Sequence, residues 1–104
     1  MRLEFLPQAE DDLESIGDFI AQDTPRRAIS FVLELRSQCV KITRSPQGYR
    51  RRPELQENLR SCAHGNYVIF FVEDGVSVQI VRVLHGAMDI EAQFAEENNS
   101  SPTD

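Results

Sequence analysis

The chain has no tryptophan, only two cysteines and two histidines, and no apolar run that approaches a membrane span. Each shortage excludes something. Cys39 and Cys62 are too few for the disulfide framework of a small secreted domain, and no Cys or His pair has zinc-binding spacing. Cys39 lies in register with Leu35 and Ile42, as a small core residue would, and Cys62 falls in a predicted strand. A bilayer-crossing helix needs roughly 20 apolar residues, which no stretch supplies. Met1-Arg2-Leu3-Glu4-Phe5-Leu6-Pro7 lacks the long apolar core of a secretory signal, so the cytoplasm is the expected compartment. What is present, 104 residues of which 40% are hydrophobic, suits one small folded domain.

Positive charge is scarce at both ends. Residues 1–23 carry one arginine against seven acids, and residues 61–104 carry Arg82 alone against another seven. Residues 24–60 reverse the balance, with eight arginines and one lysine against three acids, for a net charge of −6 overall. A dedicated nucleic-acid binder is normally basic overall, so direct nucleic-acid binding is not expected. The basic middle either meets an acidic partner or is neutralised by the acidic ends within the fold.

Periodicity divides the chain into elements. Arg2 to Leu6 alternates apolar and charged residues and predicts a short strand. Pro7 suits the first turn of a helix over about 8–22, with Ala9, Leu13, Ile16 and Ile20 on one face and Glu10, Asp11, Glu14 and Asp18 on the other. The run Glu10-Asp11-Asp12 points in three directions on such a helix and reads as solvated rather than metal-binding. Thr24-Pro25 is a second helix start, and Ala28, Phe31, Val32, Leu35, Cys39 and Ile42 form its apolar stripe. A short link between the two helices predicts an antiparallel hairpin. Residues 45–58, with two prolines, a glycine and Arg50-Arg51-Arg52, read as a solvated loop.

Strands follow over Leu59–Ala63, Tyr67–Glu73 and Val76–Leu84, the last two joined by Asp74-Gly75 as a type I′ turn. Asp89–Glu97 could form a last short helix. The fold is expected to occupy residues 1–97, leaving 98–104 as a disordered polar tail. The Tyr67–Val72 strand is apolar on both faces: Tyr67, Ile69 and Phe71 on one, Val68, Phe70 and Val72 on the other. An antiparallel sheet covered on one side alternates apolar and polar residues, so the second face needs a cover, from the chain's own C-terminal segment or from a partner protein. Arg82 is the second anomaly. A guanidinium in an apolar strand either pairs, with Asp89 or Glu73 as candidates, or faces a surface used for binding.

Several segments together resemble the ParE/RelE toxins of bacterial toxin–antitoxin pairs, and the ParE branch in particular. They are Leu6-Pro7-Gln8-Ala9-Glu10-Asp11-Asp12-Leu13, Ser45-Pro46, Leu59-Arg60-Ser61-Cys62, Gly65-Asn66-Tyr67-Val68-Ile69-Phe70-Phe71, Arg82-Val83-Leu84-His85 and Met88-Asp89. The resemblance covers about residues 2–94. It implies an α+β fold, with an N-terminal strand and a helical hairpin packed on a small antiparallel sheet.

The family holds two activities. RelE-like members cut messenger RNA on the ribosome, which needs basic groups around the scissile phosphate and a residue to handle the proton of the 2′-hydroxyl. Where RelE has an arginine after its Gly-Tyr, this chain has Val68, and no tyrosine follows Tyr67. Arg60, Arg82 and His85 are the available substitutes, and ribonuclease activity is the alternative reading. ParE-like members are implied to inhibit DNA gyrase by protein–protein binding, without cofactor, metal or catalytic residues, and to be neutralised by a ParD-like antitoxin. On that reading Arg60, Arg82, His85, Met88, Asp89 and Phe94 are candidates to contact the target. Leu13, Ile16, Ile20, Val68, Phe70 and Val72 are candidates to contact the antitoxin. Gly86-Ala87 and Glu91-Ala92-Gln93 stand where many relatives are more basic, which leaves a non-toxic, antitoxin-binding relative as a third reading.

Overall fold

The computed structural model describes residues 1–98. The first strand, β1 (Arg2–Phe5), leads into α1 (Pro7–Ala21) and α2 (Pro25–Ile42). A 3-10 turn over Pro46–Gly48 precedes β2 (Arg50–Arg51), β3 (Arg60–His64), β4 (Tyr67–Glu73), β5 (Ser77–His85) and α3 (Ile90–Asn98). Asn98, expected to begin the tail, is the last residue of α3, and the rest of that tail lies outside the described residues. Pro7 and Pro25 each occupy the first turn of their helix, where the missing N–H costs nothing. Thr24 sits at the N-cap of α2 as expected, but its side chain makes no capping hydrogen bond.

The sheet has five strands in the order β1-β5-β4-β3-β2, two more than the expected meander. β1 runs parallel to β5, pairing Arg2 with Ser77 and Phe5 with Ile80, while the other neighbours are antiparallel. The loop expected over 45–58 also contributes an edge, because Arg50 and Arg51 pair with Ser61 and Arg60. The Asp74-Gly75 turn is not type I′. That turn requires positive φ at both central residues, and here Gly75 has φ 89° while Asp74 has none. Instead Asp74 Oδ1 accepts the Val76 and Ser77 N–H groups at 2.9 and 2.8 Å, and these bonds hold its carboxyl below the usual range.

Two apolar layers cover the sheet. Between it and the helical hairpin lie Ala9, Leu13, Ile16, Phe31, Leu35, Cys39 and Ile42, against Ile69, Phe71, Val78, Ile80 and Val83. On the opposite face Leu55, Leu59, Phe70, Leu84 and Phe94 form a second cluster, with Val68, Val72, Val81 and Ile90 packed against it. The chain therefore covers the second face of β4 itself, with α3 and the 52–59 loop. A bulge between Phe70 and Phe71 sets Arg82 opposite Phe70 and Ile80 opposite Phe71. The extra residue, Val81, reverses the alternation along β5. Val83 thus rejoins Val78 and Ile80 on the helix side, and Leu84 shares the other face with Val81.

Candidate functional site

Arg82 points into the protein's own structure. Its Nε and Nη2 donate to Asp12 Oδ2 and Oδ1 at 2.8 and 2.9 Å, a two-pronged carboxylate contact. The two side chains are each 13% exposed. Asp12 Oδ2 also accepts the Val83 N–H at 2.9 Å. β1 stops at Phe5, opposite Ile80, and α1 starts across the strand edge left open, so one carboxylate serves both the arginine and the strand. Arg82 is thus paired, as one reading of the sequence had it, but the partner is neither Asp89 nor Glu73. Asp12 is turned inward rather than solvated.

The other target candidates scatter. Arg60 is half-buried and its Nη1 donates to the carbonyls of Tyr49 at 2.9 Å and Gln47 at 3.4 Å, tying down the turn before β2. His85 Nδ1 accepts the Ala87 N–H at 3.0 Å, and its ring meets Tyr67 edge-on at 5.0 Å. Met88 is exposed. Asp89 is exposed too, but its Oδ1 accepts the Ala92 N–H at 3.1 Å and so holds the first turn of α3. Phe94 is buried, its ring edge-on to Phe70 at 5.1 Å, so it is a core residue and not a contact surface.

The antitoxin candidates divide between core and partly open positions. Leu13, Ile16 and Phe70 are buried core, while Ile20, Val68 and Val72 are half-buried. The exposed apolar face lies one position round α2 from its core stripe: Ile29, Leu33 and Val40 are 67%, 59% and 47% exposed. Their spacing of four and seven residues puts them on one side of the helix, a signal that stood in the sequence and was masked by the stronger stripe beside it. Ile29 and Leu33 border an open groove of about 730 Å³ between α1 and α2. Leu13, Gly17, Ala21, Ala28 and Val32 also line it, and Glu10, Asp11, Glu14 and Asp18 fringe the α1 side. Arg36 donates to Glu10 at 2.8 Å.

A second cavity, about 370 Å³, opens where the hairpin meets the β3–β4 turn. It brings Ile20 and His85 together with Phe19, Arg27, Phe31 and Tyr67. Phe31 lies 5.6 Å from Tyr67 and 5.7 Å from His64, with the Arg27 guanidinium over its ring at 5.0 Å. Arg27 also donates to Glu34 at 2.6 Å, and with His64 it holds the Glu34 carboxyl below its usual range. Gly65, at φ 60°, makes the tight turn on the cavity rim. Both cysteines are buried. Burial pushes the Cys39 thiol up to about 12 and raises Cys62 as well, so neither has a reactive thiolate. Among the described residues no His, Cys, Asp or Glu cluster could hold a metal ion, and no helix is long and apolar enough to cross a membrane.

The fold is a single α+β domain with a helical hairpin on one face of its sheet and an open groove along that hairpin. Comparison with known proteins gives the family. Residues 3–90 match the family described as the ParE toxin of the type II toxin–antitoxin system parDE. Toxin ParE1 of Caulobacter vibrioides is 31% identical over 88 residues, covering 84% of this chain and 91% of that protein. The chain belongs to the ParE toxin family. Its fold is also that of the chromosomal ParDE system from P. aeruginosa, with a TM-score of 0.71 and 22% identity over 82% of this chain and 95% of that one. The RelBE2 toxin–antitoxin complex of Mycobacterium tuberculosis is more distant, with a TM-score of 0.59 and 21% identity over 81% and 95%.

Proposed function

We propose that this toxin-family protein acts by binding DNA gyrase rather than by catalysis, in the bacterial cytoplasm, and that a ParD-like antitoxin holds it inactive. The observation that carries the reading is the fate of the cationic groups. A ribonuclease of the RelE kind needs several of them converging on one phosphate. Here the Arg82 guanidinium is committed to Asp12, Arg60 to backbone carbonyls, and His85 Nδ1 to the turn that follows β5. The likeness to the RelBE2 complex supports the shared fold alone.

The antitoxin would seat an apolar helical face in the α1–α2 groove, over Ile29 and Leu33. Coupled folding and binding of such a segment removes apolar surface that isolated domains rarely leave open. The exposed patch on α2, not the sheet's second face, is the surface we assign to it.

The deciding experiment is a supercoiling assay with purified protein and gyrase, run beside an in-vitro translation reaction whose messenger RNA is mapped for cuts. Inhibited supercoiling with intact message is the expected result. Cut message with normal supercoiling would overturn the reading, and silence in both would mark a relative that binds antitoxin without toxicity.

A further inference from the structure

We infer that the β2 edge of the sheet is a phosphate-backbone contact surface for nucleic acid. The edge strand sets Arg50 beside Ser61 and places Arg51 directly opposite Arg60. Like charges facing each other across an antiparallel pair repel. Arg60 turns its guanidinium back to Tyr49 and Gln47, which leaves Arg51 at the surface. Lys41 and Arg44 stand exposed at the end of α2, just before the turn that enters β2. The acids in the loop that follows are Glu54 and Glu57. Glu54 lies close enough for Arg50 to help lower its carboxyl, but Arg52 binds it at 2.7 Å. Among the described residues no ion pair involves Lys41, Arg44, Arg50 or Arg51.

Part of this arrangement has a purely structural use. Cations at a helix C-terminus offset its dipole, which accounts for Lys41 and Arg44, and charge on an edge strand discourages pairing with another chain. Neither device calls for adjacent arginines opposite a third. The kind of partner follows from what lies between the cations. The exposed residues from 44 to 51 are Arg44, Ser45, Gln47, Gly48, Arg50 and Arg51, with no apolar side chain among them. A protein interface is anchored by buried aromatic or aliphatic residues, whereas guanidinium forks and small polar groups are what a phosphate backbone takes. This reverses the expectation drawn from the net charge of −6. A Debye length of about 10 Å at 0.1 M salt makes the local cluster, not the total, the charge that a docked polyanion feels. The inference stands apart from the gyrase reading, since DNA on a topoisomerase and RNA on a ribosome present the same backbone.

Fluorescence anisotropy of a short labelled DNA duplex and of a single-stranded RNA, titrated with the purified protein over a range of salt, tests it. Binding should be weak, similar for both polymers, and fall with salt at a log–log slope of about −2 to −4. Arg50→Ala with Arg51→Ala should weaken it roughly tenfold at low salt and reduce the slope by about 2, while Arg26→Ala, an exposed cation at the start of α2, should change neither. Unaltered thermal melting of the variants separates lost contacts from lost folding. Absence of binding at low salt, an equal loss from Arg26→Ala, or equal competition by polyglutamate would overturn the inference. Binding by DNA alone would tie it to a DNA-bound target, and its persistence without supercoiling inhibition would leave it standing while the gyrase reading falls.

Discussion

Truncating either member of the Arg82–Asp12 pair removes a two-pronged contact from a site where both side chains are 13% exposed. Asp12→Ala also leaves the Val83 N–H without its acceptor. Losses of this kind run to about 3 kcal/mol, a large share of the stability of a domain this small. Asp12→Ala and Arg82→Ala should therefore each lower the urea midpoint sharply, and the double variant should cost clearly less than the sum. Costs under about 0.5 kcal/mol for both, the range of ordinary surface substitutions, would show the pair to be dispensable. Lost toxicity in Arg82→Ala thus reports a contact only after the variant has been shown to remain folded. Neither residue reveals this partnership in the sequence, because α1 supplies one and β5 the other, and Asp12 sits in a run of acids that periodicity alone assigns to solvent.

At the scale of elements, the two helices, the three long strands and the two-faced apolar character of β4 follow from periodicity and from Pro7, Pro25 and Gly75. Three things do not. β1 pairs in parallel with β5, a choice set by the packing of the helical hairpin that lies between them in sequence. β2 is two residues long, too short for any alternation to register. The cover over Phe70, which the sequence left open between the C-terminal segment and a partner, is shared by Leu55 and Leu59 with α3, whose deeply buried ring is Phe94 with Ile90 packed beside it. Phe94→Ala should open the second cluster at a cost of about 3–5 kcal/mol. Hydrogen exchange should show α3 losing protection before α1 and α2 do. Equal protection of all three helices in that variant would mean that Ile90 and the backbone hold α3 without the ring.

For the whole molecule, the groove proposed to seat the antitoxin can be tested through stability. A partner that binds only the folded chain raises the melting temperature in proportion to the logarithm of its concentration over Kd. Ile29→Asp and Leu33→Asp change side chains that are already exposed, so each variant alone should melt within a few degrees of the parent. Each should lose most of the rise produced by the ParD-like antitoxin, corresponding to about 2 kcal/mol of binding. A full rise in both variants would move the antitoxin off the groove. The proposed docking surface was not legible in the sequence, which put the open apolar surface on the second face of β4, where Leu55, Leu59 and Phe94 cover it. Ile29, Leu33 and Val40 are marked out only once Phe31, Leu35 and Cys39 are known to face the sheet.

The parallel pairing of β1 with β5 also governs how the chain can fold. Arg2 finds its partner at Ser77, and the carboxylate of α1 finds its own at Arg82 and Val83. Contacts this distant along the sequence are slow to close, because chain entropy is lost before they form. On the ribosome, β1 and α1 emerge early and wait, with the strand edge and the carboxylate unmatched, until β5 leaves the exit tunnel. A nascent chain interrupted before that strand has no complete sheet. The helix-side core and the Asp12 contacts are therefore complete only once β5 has joined the sheet.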